Sequence, residues 1–288
     1  MTAVAVDGRP SAVKAVGWTV LFLATGFVLT TVLTLAAALL MGATALPGGD
    51  PRSLAIQSIS GLVAFGFVTW ALGLKGIGLT LEDLRWAPFR RAGRGFGYGL
   101  LLGTAPALLA LGLSLVAGGA RFLPDEGDFS LYLGQIGLTA LLLAPAALLE
   151  EIVFRGVGQI VLARAFGKLP AIIALSLVFA AAHLLNPNGT ALGLVNIALA
   201  GVFLGVAFYT PGGIWTAWGA HLGWNGALAA FDAPVSGLPF RIPLINYSPG
   251  GPSWLTGDSF GPEGGLLATA AIALAIGTTW RWTRKEPA

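Results

Sequence analysis

The stretch that decides the fold is LLEEIVFRG, residues 148–156, in which Glu150, Glu151 and Arg155 follow a run of leucine and alanine. Each ionisable side chain at membrane depth is unfavourable by at least ~2.5–3.5 kcal/mol, so such residues are usually functional. On a helix, Glu150 and Glu151 point about 100° apart. Glu151 and Arg155 are four residues apart and can pair on one face. Glu150 is therefore expected to lack a partner on its own helix.

The composition of the whole chain explains the apolar setting of this stretch. Of the 288 residues, 56% are hydrophobic and 10% are charged, whereas soluble domains have about 25% charged residues. One soluble core cannot hide so much apolar surface, which predicts an all-α, polytopic membrane protein. The net charge of +3 is spread along the chain and indicates no nucleic-acid partner. Because cysteine is absent, disulfides, thiolate catalysis and cysteine-ligated metals are excluded.

Apolar runs of about 20 residues are long enough to cross the hydrocarbon core of a bilayer. We predict a single integral membrane domain over residues 1–288, a bundle of eight transmembrane helices at residues 15–40, 54–74, 96–118, 131–155, 170–186, 190–209, 213–231 and 264–280. The first apolar run is too long for a signal peptide, although Ala43-Thr44-Ala45 resembles a cleavage site, so we interpret it as an uncleaved span.

The basic residues predict the orientation of these spans. If both termini are cytoplasmic, only Arg52, Arg121 and Arg241 of the 16 basic residues lie on the outer side. This positive-inside bias favours cytoplasmic termini. We expect a multi-pass protein of the cytoplasmic membrane, and the many glycine and alanine residues weakly indicate a bacterial source.

The two histidines of the chain, His183 and His221, both lie in predicted spans. His221 shares a helix face with Asn225, four residues on, as Phe179 does with His183. In a straight antiparallel hairpin of the fourth and fifth spans, Glu150 and His183 lie at equal depth. The same count places His221 roughly nine residues, or about 14 Å, nearer the cytoplasm, unless a helix is staggered or bent.

Each of these polar residues also has a structural interpretation. Glu151 and Arg155 can form a buried pair without a role in chemistry, a membrane histidine can be a hydrogen-bonded packing residue, and Asn225 can join helices. Packing does not readily explain the combination of an unpaired glutamate level with a histidine and a second histidine beside an asparagine.

Three motifs in this order, on separate helices, resemble those of a known family. Glu150-Glu151-x-x-x-Arg155, Phe179-x-x-x-His183 and His221-x-x-x-Asn225 are similar to the motifs of the CAAX prenyl protease type II and bacteriocin-processing family of intramembrane proteases, also called CPBP or Abi. The resemblance covers about residues 130–232, which we interpret as the catalytic core. It implies mostly eight transmembrane helices, an active-site cavity that opens toward the cytosol, and endopeptidase activity.

The resemblance also implies roles for six residues. They form three pairs: Glu150 with His183 activates the attacking water, His221 with Asn225 forms the oxyanion hole, and Glu151 with Arg155 supports Glu150. The substrate class implied is a peptide or a membrane-anchored protein within the lipid bilayer. Nothing in the sequence indicates a prenylated substrate.

The resemblance leaves open whether the protein binds a metal ion. The family is often described as metalloproteases, and a metal-independent glutamate mechanism is also argued for its members. If zinc is bound, we expect Glu150, His183 and His221 as ligands with a water in the fourth position. Glu151 then becomes the expected base.

Two other functions fit the polar residues less well. Glu150, His183 and His221 suit a proton relay in a proton-coupled transporter, but transporters commonly show inverted repeats, and we detect none. A non-catalytic membrane scaffold or immunity protein has no need to bury six polar side chains. The sequence therefore favours an intramembrane protease.

Overall fold

The computed structural model describes residues 10–41, 51–86 and 88–283, except for the side chains of residues 89 and 90. Helices dominate these ranges, in chain order α1 (Ala12–Leu40), α2 (Pro51–Val68), α3 (Phe89–Val116), α4 (Phe129–Arg155), α5 (Val157–Phe166), α6 (Lys168–Ala182), α7 (Ala191–Ala207), α8 (Ile214–Ala230), the single turn α9 (Ser253–Thr256) and α10 (Leu266–Thr283). The mostly helical class is thereby confirmed. Ala43-Thr44-Ala45 and the basic residues Arg9, Arg284 and Lys285 lie outside the described residues.

One small sheet departs from the all-α prediction. Strand β1 (Ala120–Pro124) pairs antiparallel with β2 (Ile245–Pro249), so that Phe122 stands opposite Tyr247. The strands join the segment after α3 to the segment between α8 and α10. The sequence interpretation did not include this pair, because two short strands in distant loops leave no periodic pattern in either loop.

The predicted membrane spans agree with the helices in position. Every predicted span falls on a helix, and four segments are long and apolar enough to cross a membrane, at Ala12–Leu40, Pro51–Ile77, Arg91–Val116 and Phe129–Phe166. Helices α6, α7, α8 and α10 have 15 to 18 residues. A helix of that length spans only about 23–27 Å. The protein is therefore an integral membrane protein, and the total of eight spans stays a prediction.

Helix α5 was missed by the sequence interpretation, which placed a simple turn between the fourth and fifth spans. The α-helix breaks at Gly156, whose ψ of −128° is far from helical, and resumes at Val157. The chain reverses only at Gly167, whose φ of 92° lies in the region that favours glycine. The expected hairpin of α4 and α6 is therefore not straight, because α5 forms the part of its first arm between the break at Gly156 and the reversal at Gly167.

Close packing of α3 against α8 positions the second histidine. A Cβ atom on Gly99 would lie 2.3 Å from the carbonyl oxygen of Thr216, and one on Gly103 would lie 1.8 Å from that of Ala220. Two glycines one turn apart let the helix backbones touch, as small residues do between membrane helices. His221 follows Ala220 directly, so this contact sets its depth.

Arg85 holds the end of α7 next to the segment between α2 and α3. Its Nε donates to the carbonyl oxygen of Phe208 at 2.9 Å, and its Nη2 donates to that of Thr210 at 2.9 Å. The last carbonyls of a helix have no partner within the helix, and an arginine can supply one. A residue that looks like part of an ordinary basic loop therefore stabilises the bundle.

Candidate active site

Glu150 and both histidines converge from three different elements. The Glu150 Oε2 atom lies 3.6 Å from His221 Nε2 and 4.0 Å from His183 Nε2. The predicted proximity of Glu150 and His183 is therefore observed. The offset of about 14 Å that the count gave for His221 is absent, which agrees with the expected alternative of a staggered or bent helix, and the glycine contact of α8 with α3 fixes the depth of α8.

His183 sits at the end of a helix rather than inside a span. Helix α6 ends at Ala182, and His183 is its C-cap residue. The His183 Nδ1 atom lies 2.8 Å from the carbonyl oxygen of Phe179. A carbonyl only accepts, so Nδ1 carries a proton, and Nε2 faces Glu150.

Glu151 joins Arg155 to His221 behind the site. Its Oε1 accepts from Arg155 Nη1 at 3.2 Å and from His221 Nδ1 at 2.8 Å. Both Glu151 and Arg155 are buried. Arg155 also donates from Nη2 to the carbonyl oxygen of Gly201 at 3.2 Å, and its guanidinium lies 4.7 Å from the centre of the Phe179 ring. The predicted Glu151–Arg155 pair forms, and the bond to His221 was not predicted.

Asn225 lies one turn beyond His221 on α8. Its side chain is partly exposed and makes no hydrogen bond with the rest of the described chain. The amide therefore remains available to a bound molecule, on the same helix face as His221.

The six residues of the three motifs fall into two groups around a cavity of about 1200 Å³. Glu150, His183, His221 and Asn225 line it. Glu151 and Arg155 lie behind its wall. The first four can touch a substrate, whereas the other two act on it only through their neighbours.

Glu263 is a further buried acid at this cavity, and the sequence interpretation missed it. Its Oε1 accepts from Trp224 Nε1 at 2.8 Å, and its Oε2 accepts from the backbone N–H of Ser236 and from Ser236 Oγ. Asn196 Nδ2 donates to its carbonyl oxygen at 2.7 Å. Burial raises the pKa of Glu263, and the hydrogen bonds from Ser236 and Trp224 act the other way.

The hydrogen bonds of Glu263 hold the segment between α8 and α10 over the cavity. Asn186, three residues after His183, donates to the carbonyl oxygen of Ser236 at 3.0 Å. The segment between α8 and α10 is rich in Gly, Pro and Ser, as solvated loops are, and a glutamate in such a loop is normally solvated. No local pattern distinguishes Glu263 from a surface acid.

The cavity reaches the end of the bundle at which α7 begins. Helix α7 begins beside the segment between α8 and α10 that covers the cavity, where Asn188 contacts Ser259. It ends beside Arg85. Pro187 and Ser236 line the cavity at the first end, and Lys168 lies 5.0 Å from the ring of Tyr209 at the other. The side of the membrane that holds the termini and the side to which the cavity opens stay predictions.

The residues named as possible zinc ligands lie farther apart than the ligands of a tetrahedral zinc ion. Ligands around a tetrahedral zinc ion are about 3.3 Å apart, since each bond is roughly 2.0–2.1 Å long. The Glu150 oxygen is 3.6 and 4.0 Å from the two imidazole nitrogens. Among the described residues, no group of three or more His, Asp or Glu side chains could hold a metal ion. We derive no step through a metal.

The fold and the site define an integral membrane protein whose helices enclose a carboxylate–imidazole cluster. Residues 132–227 match the family model described as Type II CAAX prenyl endopeptidase Rce1-like. This segment is thus similar to the Rce1-like family, and the match confirms the resemblance that the three motifs indicate. No curated protein and no solved structure matches the chain.

Proposed function

We propose that the protein is an intramembrane endopeptidase that hydrolyses a peptide bond in a peptide or membrane-anchored protein. The observation that carries the proposal is the convergence of Glu150 Oε2 and two imidazole Nε2 atoms on one side of a cavity of about 1200 Å³. These side chains lie within the segment that is similar to the Rce1-like family. Apolar walls around the polar cluster suit a substrate that is itself embedded in, or bound to, the membrane.

The attacking water is proposed to bridge Glu150 and His183. Their facing atoms are 4.0 Å apart, which leaves room for one water bonded to both at about 2.8 Å. Both atoms accept hydrogen bonds, so they orient the lone pairs of the water toward the substrate. As the water oxygen adds to the carbonyl carbon, Glu150 takes a proton as general base.

Asn225 and His221 are proposed to stabilise the oxyanion that this attack creates. The Asn225 amide is a donor, and oxyanion donors act strongly in a water-poor site. His221 Nδ1 donates to Glu151, so His221 donates from Nε2 only when its ring carries both protons. The negative charge of Glu151 compensates that second proton. The C–N bond then breaks, and Glu150 returns its proton to the leaving amine nitrogen.

Removal of the Asn225 amide is expected to lower kcat for peptide cleavage by about 10²–10³-fold, with a much smaller change in KM. The variant is Asn225→Ala, and the assay is steady-state cleavage of a peptide found in a library screen. Asn246→Ala is the matched control, because Asn246 lies on β2 away from the cavity. A wild-type kcat for Asn225→Ala would show that Asn225 is not part of the oxyanion hole.

Chelation of divalent metals is expected to leave cleavage unchanged. The geometric reason is the spacing of Glu150, His183 and His221, which exceeds that of zinc ligands. Purified protein is dialysed against a chelator and assayed with and without added zinc, and bound metal is measured by mass spectrometry. If the chelator abolishes cleavage and only zinc restores it, Glu150 is a zinc ligand and Glu151 is the general base.

A further inference from the structure

A second cavity, of about 860 Å³, lies between α3 and α10 on the outside of the bundle. It shares no lining residue with the active-site cavity. Its walls are mostly apolar and include Leu101, Pro106, Leu109 and Leu274. Leu101 and Leu274 are both exposed in the absence of lipid. We call this cavity the α3–α10 groove.

Positive charge gathers at one end of the groove. Arg91 and Arg94, on the first turns of α3, both line it and are both exposed. Neither forms an ion pair within the described ranges of the chain, and no acidic side chain lines the groove. Two adjacent guanidinium groups without a carboxylate partner match a phosphate group, to which arginine can donate two hydrogen bonds at once.

Aromatic side chains mark the level of the membrane surface at the same end. Tyr98 of α3 and Trp282 of α10 line the groove, with ring centres 6.0 Å apart. Tyrosine and tryptophan are enriched where lipid headgroups meet the hydrocarbon core. Arg91 and Arg94 thus lie at headgroup level, and the leucines lie at the level of the acyl chains.

The length of the groove also suits a lipid. From Arg94 to Leu109, helix α3 rises over 15 residues, or about 22 Å. One leaflet of the hydrocarbon core is about 15 Å deep. The groove is therefore long enough for the headgroup region and one acyl chain of a lipid in a single leaflet, and far too long for a free phosphate ion.

We propose that the α3–α10 groove is a binding site for an anionic phospholipid. The phosphate lies between Arg91 and Arg94, the glycerol region lies beside Tyr98 and Trp282, and an acyl chain follows the apolar wall. The site is independent of peptide hydrolysis. It favours anionic over zwitterionic lipid because both lipids carry the phosphate, but only the zwitterionic headgroup adds a cation, which the two arginines repel.

Native mass spectrometry of the full chain in detergent tests the proposal. Phosphatidylglycerol and phosphatidylcholine with identical acyl chains are titrated onto delipidated protein. A basic residue near an anionic lipid contributes roughly a five-fold factor, so the wild type is expected to prefer phosphatidylglycerol by about 25-fold. The Arg91→Gln/Arg94→Gln double variant is expected to lose this preference.

Two further variants separate charge from shape. Arg121→Gln/Arg164→Gln removes the same net charge at exposed positions outside the groove and should keep the preference. Ala105→Trp fills the apolar wall at an exposed position and should weaken binding of both lipids. Equal binding of the two lipids to the wild type would overturn the proposal. Retained preference in Arg91→Gln/Arg94→Gln, or full competition by inorganic phosphate, would overturn it as well.

Discussion

Replacement of Glu150 by glutamine is expected to lower the rate of peptide cleavage by roughly 10²–10⁴-fold, the usual contribution of a general base. Glutamine keeps the size of the side chain but cannot take a proton from water. The fold should persist, because the Glu150 side chain is 32% exposed and its buried Oε2 makes no hydrogen bond within the described chain. The measurement is cleavage of a library-derived peptide, with thermal unfolding in detergent as the check on folding.

Two companion variants sharpen this test. Glu150→Ala removes the carboxylate and leaves space for a second water, and it should be at least as inactive as Glu150→Gln. Glu126→Gln is the matched control, since Glu126 is an exposed acid before α4. Wild-type cleavage by a folded Glu150→Gln protein would exclude Glu150 as the base.

Replacement of Arg155 by alanine is expected to destabilise the protein by about 3–5 kcal/mol, the usual effect of removing one partner of a buried ion pair. Glu151 then remains buried without its cation, and the carbonyl oxygen of Gly201 loses its donor. The measurement is the apparent melting temperature and the yield in detergent. The matched control is Arg164→Ala, which breaks an exposed ion pair with Asp83 and should cost only about 0–1 kcal/mol.

A double variant separates the structural and chemical roles of this pair. Glu151→Gln/Arg155→Met removes both charges together, so much of the lost stability should return. Activity should stay low, because His221 loses the carboxylate to which its Nδ1 donates. If Arg155→Ala melts like the wild type but is inactive, Arg155 takes part in chemistry rather than in folding.

The sequence predicted the features that depend on local periodicity. Apolar runs located every long helix, and spacing of four residues correctly paired Glu151 with Arg155. The same spacing placed Phe179 beside His183, whose ring centres are 4.6 Å apart. These relations follow from the geometry of one helix, which a sequence specifies directly.

The proximity of Glu150 and His183 followed from the hairpin count, but other contacts between distant segments could not be predicted. The bond from His221 to Glu151 joins residues 70 positions apart, and its existence depends on the depth of α8. That depth follows from the glycine contact with α3, which no pattern within α8 reveals. Glu263 was missed for the same reason, since its partners Trp224 and Ser236 lie in other segments.

The central claim is that a water held by Glu150 and His183 cleaves a peptide bond. The most direct measurement incubates wild-type protein and Glu150→Gln with a peptide library in ¹⁸O-labelled water, followed by mass spectrometry of the products. We predict that the wild type produces new carboxyl termini that carry one ¹⁸O atom and that Glu150→Gln produces almost none. Equal amounts of labelled product from both proteins, or no product from the folded wild type with any peptide, would contradict the claim.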